Sequence, residues 1–428
     1  MVVSPKFVLP LDISRRLNRE GIITTCINNT FFRTLAFAAL VFGVAGIPRV
    51  QAGSFLACNP MNAARAYHTA TLLRDGKVLV AGGMGDRLQT LDSAELYDPA
   101  TGTWTLTGPM NHPRRLHMAT LLADGRVLVT GYSTNVSEIY DPATGKWSDL
   151  GDLANLPFPR KTATLLPDGK IFFAGTVSIF SEGTVRLENS GGEIYDPTAR
   201  TWTPAAAIET VFQSPVATLL RNGHVLLAGA NSGGKNFNGL IRFWGYPDAT
   251  ATNKGLPSVA AIYNPSDGKW RSITNTITWL DNGPHTATLL LDGRVLFVGE
   301  QDISGHEPGA QIFDPATETW SATGTMANPR VIHTATLLPD GVVLVVGGRP
   351  PFGMVEGGRA VRAFGSAEVF LPAGKTWTKL SSQLAFPRVA HTATLLPNGK
   401  VLIAGGQGLK PGCLSSAEIY DPETAPVR

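Results

Sequence analysis

Apolar residues along this chain fall in short runs separated by turn residues, and the same run returns seven times. An Ala-Thr-Leu-Leu phrase ends at Leu73, Leu122, Leu166, Leu220, Leu290, Leu338 and Leu396. Each copy is followed by a turn such as Asp75-Gly76 or Asp340-Gly341, then by a β-branched run such as Val78-Leu79-Val80 that ends at glycine. An Ala-Glu-Leu-Tyr type phrase comes next, closed by Asp98-Pro99 or its equivalent. A tryptophan then follows, at 104, 147, 202, 270, 320 or 377. Short apolar runs bounded by Asp-Gly and Asp-Pro predict strands, and the tight Asp-Gly connection predicts a hairpin. Each unit therefore predicts four antiparallel strands. Strand A is the Ala-Thr-Leu-Leu phrase, B the Val-Leu-Val run, C the Tyr-bearing phrase and D the Trp-bearing segment.

Units that recur about every 55 residues predict a repeat architecture. Four-stranded units set around an axis make a β-propeller, which leaves only short protected edges. Side-chain size agrees: strand A supplies Ala and Thr where blades converge, and strand D supplies Trp where they widen. The expected fold class is all-β, a seven-bladed propeller. The chain has seven A, B and C phrases but only six Trp-bearing D strands. Ser54-Phe55-Leu56-Ala57-Cys58 aligns with Thr103-Trp104-Thr105-Leu106-Thr107, with Phe55 in the Trp position. Residues 54–58 are therefore expected to complete blade seven, so that residues 53–428 form the ring.

The glycine pairs Gly82-Gly83, Gly347-Gly348 and Gly405-Gly406, set in this repeat, resemble the signature of the kelch family. Blades two to five depart from it, with one glycine each (Gly131, Gly175, Gly229, Gly299). The resemblance covers residues 54–428 and implies the propeller. It implies little about activity, because function sits in loops grafted on such a ring.

Composition narrows the picture. Of 428 residues, 46 are Gly and 30 Pro, which fits many turns, and 16% are charged, which excludes a long charged tail or a coiled coil. A net charge of +3 gives no reason to expect a nucleic-acid partner. Residues 1–52 read as a leader: Arg33, an apolar run from Leu35 to Ile47, and a small-residue exit at Ala52. The run is short for a membrane span, so an exported protein without stable membrane insertion is expected; an uncleaved anchor is the alternative. A lipoprotein acylated at Cys58 would lose Phe55 from the closing strand. Cys58 and Cys413 remain after cleavage. A disulfide between them would staple the ring, although register leaves Cys413 about four residues past the ideal partner. Two buried free thiols are the alternative.

Loops from A to B and from C to D emerge on one side of the ring, and these are uniformly short. Loops from B to C and from D to A emerge on the other side and are irregular, with insertions over 176–190, 231–258 and 349–365. Long insertions on a rigid scaffold are where binding usually resides. The second insertion carries Arg242, Trp244 and Tyr246, the third carries Arg359 and Arg362, and Trp279 lies in the link before blade five. Aromatic rings beside arginine suit a carbohydrate or an acidic peptide, by stacking and forked hydrogen bonds. The competing view is that these aromatics pin their own loops.

Five A strands begin at a histidine: His68, His117, His285, His333 and His391. Arg65, Arg114, Arg330 and Arg388 each stand three residues before one of them. A ring of imidazoles at a channel mouth suits a metal or an anion. A side chain repeated in five blades more often bonds a neighbouring backbone than forms one asymmetric site. Tyr67-His68 resembles the Tyr-His segment of the copper radical oxidases, the galactose oxidase group, in which these two residues ligate copper. The resemblance stops there. The family needs a second tyrosine crosslinked to a cysteine, whereas Leu116, Pro284, Ile332 and Ala390 precede the other histidines. Nor is a histidine from a further C-terminal domain expected. No metal or other cofactor is therefore expected.

The strand-C glutamates Glu95, Glu138, Glu193, Glu368 and Glu418 recur with the repeat and read as structural. No Gly-x-Ser-x-Gly elbow, His-Glu-x-x-His or phosphate loop is present, and no catalytic residue is assigned. The expectation is an exported binding scaffold for a carbohydrate or protein ligand. The alternative is a carbohydrate-active enzyme of the galactose oxidase or sialic-acid mutarotase kind.

Overall fold

Residues 53–131, 136–152, 161–181, 184–208, 212–231, 258–273, 285–299, 309–350, 355–356, 359–360 and 363–424 are described in the computed structural model. They form seven four-stranded antiparallel sheets. Blade 1 shows the plan, with Thr69–Leu72, Val78–Ala81, Ala94–Asp98 and Thr103–Thr107 as strands A to D. Strand A of each blade touches strand A of the next, and the seventh returns to the first. The ring is a seven-bladed propeller.

Closure follows the alignment. Blade 7 takes strands A to C from Thr392–Leu395, Val401–Ala404 and Ala417–Asp421, and its outer strand from Ser54–Cys58. Phe55 lies opposite Tyr420, as Trp104 lies opposite Tyr97. The Phe55 and Tyr420 rings sit 5.2 Å apart and those of Tyr97 and Trp104 4.9 Å, both tilted. A phenylalanine thus does the tryptophan's packing where the two ends of the chain meet.

The core lies between blades rather than within one. Strand B is buried along its whole length in blade 1 (Val78–Ala81) and blade 6 (Val343–Val346), so its unbroken apolar run serves both faces of the sheet. Seven apolar clusters each join one blade to its neighbour; Val78, Val80, Tyr97, Leu402 and Ala404, for example, join blades 1 and 7. Each blade is therefore stable only with neighbours on both sides, which makes the closing strand decisive.

Of the two states left open for the cysteines the structure has the free one, and one insertion needs correction. Cys58 and Cys413 are free, not bonded to each other. Cys58 pairs with Ala417, and Cys413 turns towards blade 1, where its Sγ donates to the Met84 carbonyl at 3.0 Å. Burial pushes both thiols up to about 11, so neither is a thiolate at neutral pH. The segment 176–190 is not a loop. Strands Ile171–Ser181 and Thr184–Asp196 continue pairing beyond the blade, past an irregularity at Thr176/Val177, to Ser181 opposite Thr184.

Candidate functional site

The face that carries the irregular loops is built from the D-to-A links, the ends of strand B and the starts of strand C. Arginine holds these parts together in four blades. Arg65 is fully buried and donates to Glu95 at 2.7 Å, to the Gly82 carbonyl at 2.7 Å and to the Ser93 carbonyl at 3.0 Å. Glu95 also accepts the backbone N–H groups of Asn62 (2.7 Å) and Ala63 (3.0 Å) from the preceding link. The arrangement repeats at Arg114 with Glu138, at Arg330 with Glu368 (2.7 Å) and at Arg388 with Glu418 (2.6 Å). These arginines are not ligand-facing. Glu95, Glu138, Glu368 and Glu418 are structural, as their recurrence indicated.

His68, His117, His333 and His391 bond from blade to blade. The Nε2 of His68 in blade 1 lies 3.0 Å from Thr392 Oγ1 in blade 7. His117 meets Thr69 at 2.9 Å, His333 meets Thr286 at 3.1 Å and His391 meets Thr334 at 3.0 Å. The partner is the neighbour's threonine hydroxyl, not its backbone as the sequence reading had it. All five histidines are buried. Desolvation, then the charge of Arg114, pushes His117 down to about 3; desolvation with Arg330 does the same to His333. His68 and His391 are held well below the usual histidine value, again by desolvation first. These four are neutral spacers between blades. The residue before the histidine adopts a left-handed backbone in four blades: Tyr67 (φ 56°), Leu116 (φ 53°), Ile332 (φ 55°) and Ala390 (φ 54°). This turns the Tyr67 N–H onto the Ala390 carbonyl (3.0 Å) and the Leu116 N–H onto the Tyr67 carbonyl (2.9 Å), linking blades 7, 1 and 2 at the mouth.

The glycine pair follows from the same contacts. A Cβ on Gly405 would stand 2.4 Å from the Arg65 carbonyl and 2.7 Å from the His68 ring, at a backbone φ of +64° that already favours glycine. The pair exists where the next blade presses an Arg-His link against the end of strand B.

Three of the seven blades depart from this pattern. Blades 6, 7, 1 and 2 keep the arginine, the glutamate and the histidine. Blades 3, 4 and 5 have Phe158, Phe212 and Asn282 at the arginine position. Their strand-C position holds Glu193, Ala261 and Gln311, and blades 3 and 4 begin strand A with Lys161 and Pro215. The long insertion 231–258 falls within these three blades. The opposite face has no such asymmetry. Its turns are closed by their own side chains, as where the Lys77 N–H donates to Asp75 Oδ1 (3.1 Å), and its charges pair off, as in Arg126 with Asp124 (2.7 Å) and Arg294 with Asp292 (2.6 Å).

Of the residues singled out in the sequence, the structure brings His68, His117, His285, His333 and His391 to the inner rim, with Tyr67 half-buried beside them. Arg359 lies in a two-residue ribbon opposite Glu356. Arg242, Trp244, Tyr246, Trp279 and Arg362 lie outside the described residues. The threonine partners were missed, and the repeat carries no consistent signal for them, since Val216 stands at the threonine position of the blade before His285.

Residues 65–111 match the family model described as the Kelch motif. No curated protein matches the sequence. Among solved structures, a fungal alcohol oxidase of the AA5 family in complex with copper is similar over 88% of this chain and 79% of its own, with a TM-score of 0.66 and 18% identity. That likeness is one of fold. A copper site needs an intact set of donors, and the described residues do not supply one. His68 commits Nε2 to Thr392, and among the described residues no three His, Cys, Asp or Glu side chains converge as metal ligands would.

Proposed function

We propose that this protein is an exported binding scaffold that holds a carbohydrate or protein ligand on the irregular face, over blades 3 to 5. One observation carries the reading: blades 6, 7, 1 and 2 spend their polar residues on fixing the ring, whereas blades 3, 4 and 5 each lack the arginine and one of them carries the long insertion 231–258. Local rules broken in one sector and kept elsewhere mark where a fold serves something other than stability. Turns closed by their own side chains offer a ligand little on the opposite face. The aromatic and arginine residues Arg242, Trp244 and Tyr246 supply stacking and forked donors suited to a sugar ring or an acidic segment. No catalytic step is assigned.

The test uses the mature chain on a glycan array and against an acidic peptide library. Replacing residues 232–257 with a short Gly-Ser linker is expected to lower affinity at least tenfold for whichever probe binds, with an unchanged circular dichroism spectrum. Unchanged binding would remove this face from the account.

A further inference from the structure

We infer that the loop tips of blades 7 and 1 on the irregular face form a docking edge for an anionic lipid surface. It goes beyond the ligand reading above and does not depend on it, because blades 7 and 1 stand across the ring from blades 3 to 5.

The two B-to-C loops here span residues 84–93 and 407–416, and both are described throughout. They brace each other. The Cys413 N–H donates to Asp86 Oδ1 at 2.8 Å, and the Cys413 Sγ donates to the Met84 carbonyl at 3.0 Å. The first loop also closes on itself, with the Gly85 N–H on the Gln89 carbonyl and the Leu88 N–H on the Gly85 carbonyl, both at 2.9 Å. The second meets the link before strand A of its own blade, where the Val389 N–H donates to the Gln407 carbonyl at 3.0 Å. On this braced edge Leu88 and Leu409 are each 54% exposed, and Phe386, from that link, is 51% exposed. Single exposed leucines are ordinary; several on one edge mark a contact with a membrane or a partner.

Leu88 stands out further. Its backbone is left-handed (φ 64°), a conformation that costs leucine energy and that asparagine or glycine adopts more readily. The strain brings the side chain no burial, so packing does not account for it. Strain without a structural gain points to function. Beside the two leucines in the chain stand Arg87 and Lys410, both exposed and neither in an ion pair among the described residues. On the opposite face such cations are paired, as Lys77 is with Asp98 and Lys400 with Asp421. Asp86 is engaged by the Cys413 N–H, and Asp92 lies at the foot of its loop, just before strand C. The tips therefore present a leucine next to an unpaired cation, twice. An anionic lipid surface complements both: its headgroups attract the cations, and its acyl boundary takes up the apolar side chains.

Co-sedimentation with lipid vesicles tests this on residues 53–428, which hold every strand described above. The expected result is binding to mixed phosphatidylglycerol–phosphatidylcholine vesicles that weakens as salt is raised, with little binding to pure phosphatidylcholine. Arg87→Gln and Lys410→Gln each lower affinity roughly fivefold. Leu88→Asn lowers it at least about fivefold while leaving the thermal midpoint unchanged or higher, because asparagine tolerates the left-handed backbone. Absent sedimentation, equal sedimentation with both vesicle types, or equal sedimentation of wild type and Leu88→Asn/Leu409→Ser overturns the proposal. So does a concentration-dependent dimer in sedimentation velocity that this double variant abolishes, which would assign the edge to a second copy of the chain.

Discussion

Lowering the pH from 7 to 5 is expected to unfold this propeller or bring it close to unfolding. His117 and His333 are buried beside arginines, with pKa values pushed down to about 3, whereas a histidine in an unfolded chain titrates near 6.5. Between those values the unfolded chain binds more protons. Stability is therefore complete above about pH 6.5 and is lost as the pH falls towards 3. Each such histidine removes about 1.4 kcal/mol per pH unit, so these two remove roughly 3 kcal/mol per unit. His68 and His391 shift in the same direction and steepen the loss. A native domain holds only about 5–15 kcal/mol in reserve. Urea unfolding followed by tryptophan fluorescence at pH 7, 6 and 5 measures the slope. His117→Asn should start lower and fall less steeply. A midpoint that does not move between pH 7 and 5 would show that the rings are not buried neutral.

The second large effect is at the arginines. Arg330→Leu leaves Glu368 buried, still held by two backbone N–H groups but without its cation. Breaking a buried pair from one side costs about 3–5 kcal/mol. Arg330 also donates to the Gly347 (3.0 Å) and Ser366 (2.9 Å) carbonyls, so the same change frees two acceptors where the B-to-C loop begins and ends. Denaturant midpoints at pH 7 give the cost directly. Arg330→Leu combined with Glu368→Leu should destabilise by less than the two single changes summed, because the second removes the stranded charge. A loss below about 1 kcal/mol for Arg330→Leu would place the pair with ordinary surface ion pairs.

The repeat made the architecture legible. Seven Ala-Thr-Leu-Leu phrases, Asp-Gly turns and the Phe55 match to Trp104 specify strands, register and closure by local chemistry alone. The candidate site was legible only in outline. The arginine's partner lies about thirty residues away in sequence, as with Arg65 and Glu95, and only the folded blade brings them within 2.7 Å. The histidine's partner sits in the previous blade, so Thr69 and His117 could be joined only once blade order was known. The pairing of Cys58 and Cys413 stayed open in the sequence because nearness in blade 7 does not show the turn that sends Cys413 to Met84 and Asp86 of blade 1. What the insertions recognise was not legible, because their residue types suit several ligands equally and no repeat constrains them.

The account rests on a ring sealed by its own N-terminal strand. Hydrogen–deuterium exchange with mass spectrometry tests this directly on peptides covering Ser54–Cys58 and Ala417–Asp421. The expected result is that both segments exchange slowly, at matching rates, and lose protection together as urea is raised. Exchange of 54–58 within seconds, with 417–421 still protected, would contradict it.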